Sequence, residues 1–425
     1  MTHRAIILLL PLILLVGCVP REPQQVPTTA AQTPTVPLQP VGTASEIPPS
    51  PTEAEAIPTL ASSPTAGAPA ATQEPSQAPE IEPLRIAYTG PDENLWLVDA
   101  ISGEQEQLTQ DAASPSPDSS GEAVQYCCAQ WTTDRTLLGY RRDVGTPVSD
   151  GYRYRFELWV YDALKSEHRL ILEDQAIIGF VWKPLTHLLV YGLQVDMGYF
   201  AASGGVSKEM AEGIWAVDAD GGEPFELVPP SGGYWLVNPE FSRDGRFLSF
   251  EEVIYLEGRG NFAYYDFEEQ AYLAWERGIG NYDWSPDGQE IVYDNMLYLP
   301  TGTETIFASD RLGEGEREVA PPLESGYAFY PTFSPKGDQI VYLAEEGGFE
   351  TSLYTLYVQP FPEGKPQSLG VFEQALNLAW LPDGSGLVFS AGPWGSQQVL
   401  RVTYPGGEVT PLADGSQPRL PQLLP

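Results

Sequence analysis

Four arginines are the first residues whose type and spacing suggest chemistry. Arg141, Arg142, Arg153 and Arg155 lie within 15 positions of one another, beside Tyr152 and Tyr154, and a later insert adds Met197, Tyr199 and Phe200. A guanidinium can hold a carboxylate or phosphate through two parallel N–H bonds, and Arg and aromatic side chains concentrate at binding hot spots. The expectation is a ligand face for an anionic peptide or glycan. The competing reading places the arginines on strand extensions, where they balance local carboxylates.

Other reactive residue types are scarce. The chain holds three His and three Cys among 425 residues. Cys127 and Cys128 are adjacent, and in an exported protein they form either a vicinal disulfide or two reduced, partly buried thiols. His168 and His187 accompany no Gly-x-Ser-x-Gly elbow, so a Ser-His hydrolase is not expected. Asp218-Ala219-Asp220-Gly221-Gly222-Glu223 starts like a calcium loop but lacks the twelve-residue ligand series, which makes it a turn. A carboxylate pair could hydrolyse glycosides, yet 58 Asp and Glu residues give no means of choosing one. The expectation is therefore no catalytic residue, no metal and no cofactor. A net charge of −36 argues against nucleic acid, whose phosphates need clustered cations.

The elements that must position these residues come from a repeat. Trp131, Trp182, Phe241, Trp284, Phe333 and Trp380 are each followed nine positions later by a second aromatic: Tyr140, Tyr191, Phe250, Tyr293, Tyr342 and Phe389. Between them lies a polar turn, clearest in Ser285-Pro286-Asp287-Gly288 and varied in Ser242-Arg243-Asp244-Gly245, Ser334-Pro335-Lys336-Gly337 and Leu381-Pro382-Asp383-Gly384. Pro presets φ, Asp bonds nearby backbone and Gly takes positive φ, the requirements of a tight hairpin. The turns after Trp131 and Trp182 are degenerate. Short apolar runs such as Ile291-Val292-Tyr293 read as buried strands, and third strands follow at Leu95–Asp99, Leu158–Asp162 and Ile214–Asp218. Four strands in units of about 49 residues suit a propeller blade.

The Trp/Phe-Ser-Pro-Asp-Gly phrase and its spacing resemble the WD40-like (PD40) repeat of TolB-type β-propellers, over residues 84–425. The resemblance implies an all-β, seven-bladed propeller of four-stranded antiparallel blades. Leu84–Asp111 supplies three strands of a first blade, and Gln417–Leu420 would be its innermost strand, so joining the termini closes the ring. Six blades with a loose N-terminal segment is the alternative. The small α/β domain that precedes the propeller in TolB has no counterpart here, nor does the hydrolase domain of prolyl-oligopeptidase-like enzymes. In such a ring, the inserts at Asp111–Tyr126, Arg141–Arg155 and Gly192–Gly213 should meet on one face.

The remaining segments divide at residues 18 and 83. Residues 1–18 have a cationic start and an apolar run, Ala5–Val16, too short to span a bilayer comfortably. Leu15-Val16-Gly17-Cys18 resembles a bacterial lipobox, which implies that Cys18 receives a diacylglycerol and becomes the mature N-terminus. Residues 19–83 contain 15 Pro and no aromatic residue, and all 48 aromatics of the chain follow. Such a segment cannot offset the entropy of ordering, so it should be a disordered, extended stalk. Together these features suggest a module exported and lipid-anchored to a bacterial membrane, on its extracytoplasmic side. Its partners would be the membrane, through the lipid, and an envelope protein, peptide or glycan. The alternative is an envelope hydrolase using carboxylates at the propeller channel.

Overall fold

The computed structural model describes residues 84–116, 121–149, 151–173, 177–193, 213–229, 234–253, 260–296, 304–320, 323, 326–345 and 353–421. Cys18, Tyr199 and Phe200 lie outside the described residues, as does Met197.

Seven four-stranded antiparallel sheets form the blades of a β-propeller. Blade one is ordered β28-β1-β2-β3, with β28 (Ser416–Arg419) innermost, then β1 (Arg85–Thr89), β2 (Leu95–Asp99) and β3 (Gln105–Gln107). Six further blades follow in chain order, from β4 (Ala123–Trp131) to β27 (Val409–Asp414). The C-terminal strand thus pairs with the N-terminal one, and seven blades rather than six close the ring.

The repeated aromatics explain why each blade forms. The first ends the innermost strand and the second sits in the next strand; all twelve are buried. Trp Nε1 groups also tie blades together. Trp182 donates to the carbonyl of Gln130 at 2.8 Å in the preceding blade, and Trp284 donates to Ser249 Oγ at 3.0 Å. A buried indole thus contributes packing area and satisfies its one polar atom across the blade boundary.

The turns behave as their residues dictate. Ser242 Oγ accepts the N–H of Phe247 at 2.9 Å and donates to Asp244 at 2.6 Å. Gly337 sits at φ 74°, and a Cβ there would come within 2.9 Å of Pro286 in the preceding turn, so the glycine serves both conformation and nesting. The degenerate turns of blades two and three close as hairpins too, with Arg135 (φ 63°) and Leu185 (φ 61°) in the left-handed region.

Candidate binding site in the central channel

Channel-facing positions follow from a shared irregularity of the innermost strands. In β12 (Trp235–Phe241), β20 (Tyr327–Phe333) and β24 (Leu376–Trp380) the pairing register slips by one residue before the final aromatic. The residue three positions before that aromatic adopts positive φ: Asn238 (54°), Tyr330 (54°) and Asn377 (57°). Such a bulge re-aims side chains. Residues three and one before the aromatic, two apart and so on one side of the strand, line the same space.

That space is a cavity of about 470 Å³ in the channel. Blade four contributes Asn238, Glu240 and Glu251; blade five contributes Asn281 and Tyr282 from β16 (Tyr282–Trp284) and the residue before it. Tyr330, Asn377 and Arg419 line it from blades six, seven and one. Gly280 and Leu376 stand where innermost strands begin, on the face of the inter-blade connections, and Glu240, Thr332 and Arg419 stand near where such strands end.

The electrostatics are those of opposed charges without an ion pair. Glu240 is partly exposed to the channel, yet enclosure by protein pushes its carboxyl up to about 8; the charge of Asp283 adds to this and Arg419 opposes it. Burial lowers Arg419, against the pull of Glu240. Asp283, also raised by burial, accepts the backbone N–H of Phe333 at 2.8 Å and a longer contact from Arg243 at 3.4 Å. Arg243, in the blade-four turn, spans to blade six by donating to the carbonyls of Phe333 (2.8 Å) and Ser334 (3.0 Å).

A buried aspartate fixes two of the lining residues. Asp294 accepts Asn281 Nδ2 at 2.8 Å and the backbone N–H groups of Asn281 (3.1 Å), Met296 (3.1 Å) and Tyr330 (3.0 Å). Gly280 makes room for it, since a Cβ would lie 1.7 Å from its Oδ1.

Sequence reasoning missed this channel set. The usable signal was position: one and three residues before each repeated aromatic stand Asn238 and Glu240, Asn281 and Asp283, Tyr330 and Thr332. It also missed Trp394, 72% exposed in the loop between the second and third strands of blade seven, on the face of the inter-blade connections. Trp394 borders a second hollow, of about 530 Å³, with Pro91, Glu93 and Ser416.

The arginine set occupies a hairpin rather than a loop. β5 (Leu137–Val148) and β6 (Gly151–Asp162) pair continuously, with Arg142 opposite Glu157, Val144 opposite Arg155 and Thr146 opposite Arg153. Arg141 grips Asp143 through two bonds of 2.7 and 2.8 Å and lies over Phe156. Arg142 bridges Asp111 (2.8 Å) and buried Glu157 (3.0 Å), and Arg155 reaches Glu157 at 2.6 Å. Arg153 is exposed and makes no ion pair among the described residues. The inter-blade insert does fold onto this hairpin, because Ser116 donates its N–H to Tyr152 and Tyr126 donates to Asp111. Tyr154 lies beside Tyr152, with ring centroids 6.2 Å apart.

The other singled-out residues have local partners. Cys127 and Cys128 place their sulfurs in contact with Cα atoms 3.7 Å apart, and Cys128 (φ 63°) is the bulge residue of blade two. His168 Nδ1 meets Tyr140 Oη at 2.9 Å, and burial lowers its affinity for a proton. His187 sits between Asp220 (2.7 Å) and Asp134 (3.1 Å), which together raise it against some burial. Asp218–Gly222 lies in the turn after β10 (Ile214–Asp218). Among the described residues, no group of three or more His, Cys, Asp or Glu is placed to hold a metal ion.

No known family profile matches the chain. Over 146 residues it is 27% identical to dipeptidyl-peptidase 5 of Porphyromonas gingivalis, a stretch covering 32% of this chain and 21% of that protein. Among solved structures, an oligogalacturonate lyase in complex with manganese superposes with a TM-score of 0.54 at 13% identity, over 78% of this chain and 85% of the lyase. A prolyl endopeptidase gives 0.53 at 14%, over 76% and 46%. TolB from Acinetobacter baumannii gives 0.44 at 13%, over 79% and 66%. Identities this low speak to architecture alone.

Proposed function

We propose that the chain is a lipid-anchored, TolB-like β-propeller lipoprotein that acts as a non-catalytic binding or scaffolding module of the cell envelope. Cys18 would carry the acyl chains, residues 19–83 would form the stalk, and residues 84–425 would present the ligand face outside the membrane. The observation that carries the reading is the polar cavity of about 470 Å³, a size suited to a small ligand or the end of a larger one. On the face of the inter-blade connections, strand order also places the end of the blade-two hairpin that carries Arg141, Arg142, Arg153 and Arg155 and the exposed Trp394 of blade seven, which would engage a protein, peptide or glycan. In this reading Cys127 and Cys128 form a vicinal disulfide that stiffens the bulge of blade two.

Affinity capture from the native envelope with the full chain, alongside a glycan array, tests the proposal. A reproducible partner lost on joint replacement of Arg153 and Arg155 by Ala supports it. Unchanged capture by that variant removes the hairpin from the site.

A hydrolase is the second reading, favoured by Glu240, which stays partly protonated near neutral pH, next to Asp283. A general acid beside a carboxylate is the minimum for glycoside hydrolysis. Asp283 is already tied to Phe333 and Arg243, however, which leaves it poorly placed as a base or nucleophile. Turnover of a captured glycan, abolished by Glu240→Gln, would decide for the enzyme.

A further inference from the structure

We propose that the central cavity takes a small zwitterion, a free amino acid or short unblocked peptide, with its ammonium among Glu240, Asn238 and Asn281 and its carboxylate on Arg419. This rests on the binding reading above and supplies the ligand class of that site.

The polarity of the lining comes first. Asn238 donates Nδ2 to Glu251 at 3.1 Å and Asn281 donates Nδ2 to Asp294 at 2.8 Å. Each amide has thus committed one of its two N–H donors to a carboxylate, while its oxygen accepts no side-chain hydrogen bond among the described residues and can take one from a ligand. Glu240 receives no side-chain hydrogen bond among the described residues and lines the same cavity. Three acceptors match the three N–H donors of an ammonium. On the blade-one side Arg419 offers five N–H donors and no acceptor, the complement of a carboxylate.

The charges also remain open. Glu240 and Arg419 feel each other across the cavity, yet they form no ion pair. An enclosed guanidinium facing an enclosed carboxyl, with no bond between them, gains from a ligand that bridges the two. A zwitterion satisfies both. A simple anion would make no use of the acceptors at Glu240, Asn238 and Asn281, a metal cation would leave Arg419 without an acceptor, and a neutral sugar would leave Arg419 without an anion. An ammonium beside Glu240 would also ionise it, so binding at neutral pH should release a proton.

Titration calorimetry on the full chain tests this with Ala-X dipeptides, their N-acetyl forms and their C-terminal amides, in two buffers of different ionisation enthalpy. The expected result is unblocked binding at least about tenfold tighter than either blocked form, with proton release. Glu240→Gln should erase discrimination against N-acetylation, and Arg419→Gln should erase discrimination against the amide. Equal binding of the three forms, or binding of none, overturns the inference. The wild-type comparison decides even if Arg419→Gln does not fold. If a protein or glycan partner is captured while no dipeptide binds, this inference falls and the binding reading stands.

Discussion

Ala87 of β1 pairs with Arg419 of β28 in antiparallel register, so the strand that closes the ring also delivers the arginine of the central cavity. Closure and binding chemistry therefore share one short segment. Its pairing is brief, with Thr89 opposite Ser416 as the other described partner and a register shift between them.

Removing residues 416–425 should uncover the edge of β1 and delete Arg419 together. An unpaired edge strand exposes N–H and C=O groups and the apolar face beneath. The expected cost is on the order of 3 kcal/mol or more. Urea unfolding followed by tryptophan fluorescence checks it, with increased self-association as a second readout. Stability equal to the full chain would mean that the seam contributes little.

Gly280→Ala should be costly although its backbone is ordinary. The new methyl would meet Asp294, which holds Asn281 and Tyr330 in place through three hydrogen bonds and Met296 through a fourth. Overpacking of this kind costs about 1–3 kcal/mol. Thermal unfolding measures the loss, and ligand capture should weaken along with it because two cavity residues move.

The ring could be read from the chain because hydrophobic periodicity recurs. Six aromatic pairs at one spacing over-determine the blades, and the degenerate turns at Arg135 and Leu185 could not break hairpins already fixed by Trp131–Tyr140 and Trp182–Tyr191. The channel was hidden for the opposite reason. Asn238, Glu240 and Arg419 stand at repeated positions of the innermost strands but share no residue type, so no repeated letter marks them. The arginine segment reads either as a ligand insert or as strand extensions, because Gly145, Pro147 and Gly151 interrupt the strand pattern; twelve paired positions from Leu137–Asp162 to Val148–Gly151 make it strand.

The hairpin arginines should separate by whether they hold a carboxylate among the described residues. Arg142→Ala leaves Glu157 buried with one fewer cation, and breaking a buried pair costs about 3 kcal/mol, less here because Arg155 and the Trp159 Nε1–H remain on Glu157. Arg153→Ala should stay within about 0.5 kcal/mol of wild type. Chemical denaturation ranks the two. If Arg153→Ala proves the more damaging, the division of roles is wrong.

If Cys127 and Cys128 are bonded, neither should react with iodoacetamide until a reductant is added, after which both should. Mass spectrometry of the native and reduced protein reads the difference directly. Labelling of the pair without reductant would establish two thiols. Because Cys128 holds the bulge of blade two, Cys128→Val should destabilise more than Cys127→Val, a β-branched residue being strained at positive φ.

Two groups should make stability fall with rising pH, and they can be told apart. Glu240 is raised in the folded chain to about 8 from an ordinary 4.5, so between those values the folded state binds more protons than the unfolded one. Its contribution is therefore fully present below the unfolded pKa and is lost as pH climbs toward 8. His187 is also raised, by Asp220 and Asp134, so its contribution is present below its unfolded value and lost as pH rises through the folded one. Both aspartates are more than half exposed, which limits the His187 term to about 0–1 kcal/mol. Glu240→Gln should match wild type near pH 4.5 and exceed it near pH 8 by about 2 °C or more in Tm. His187→Gln should instead lose stability at pH 5.5 and approach wild type at pH 8. Differential scanning calorimetry of both variants across this range gives opposite signatures, and parallel curves would show that neither group titrates differently on folding.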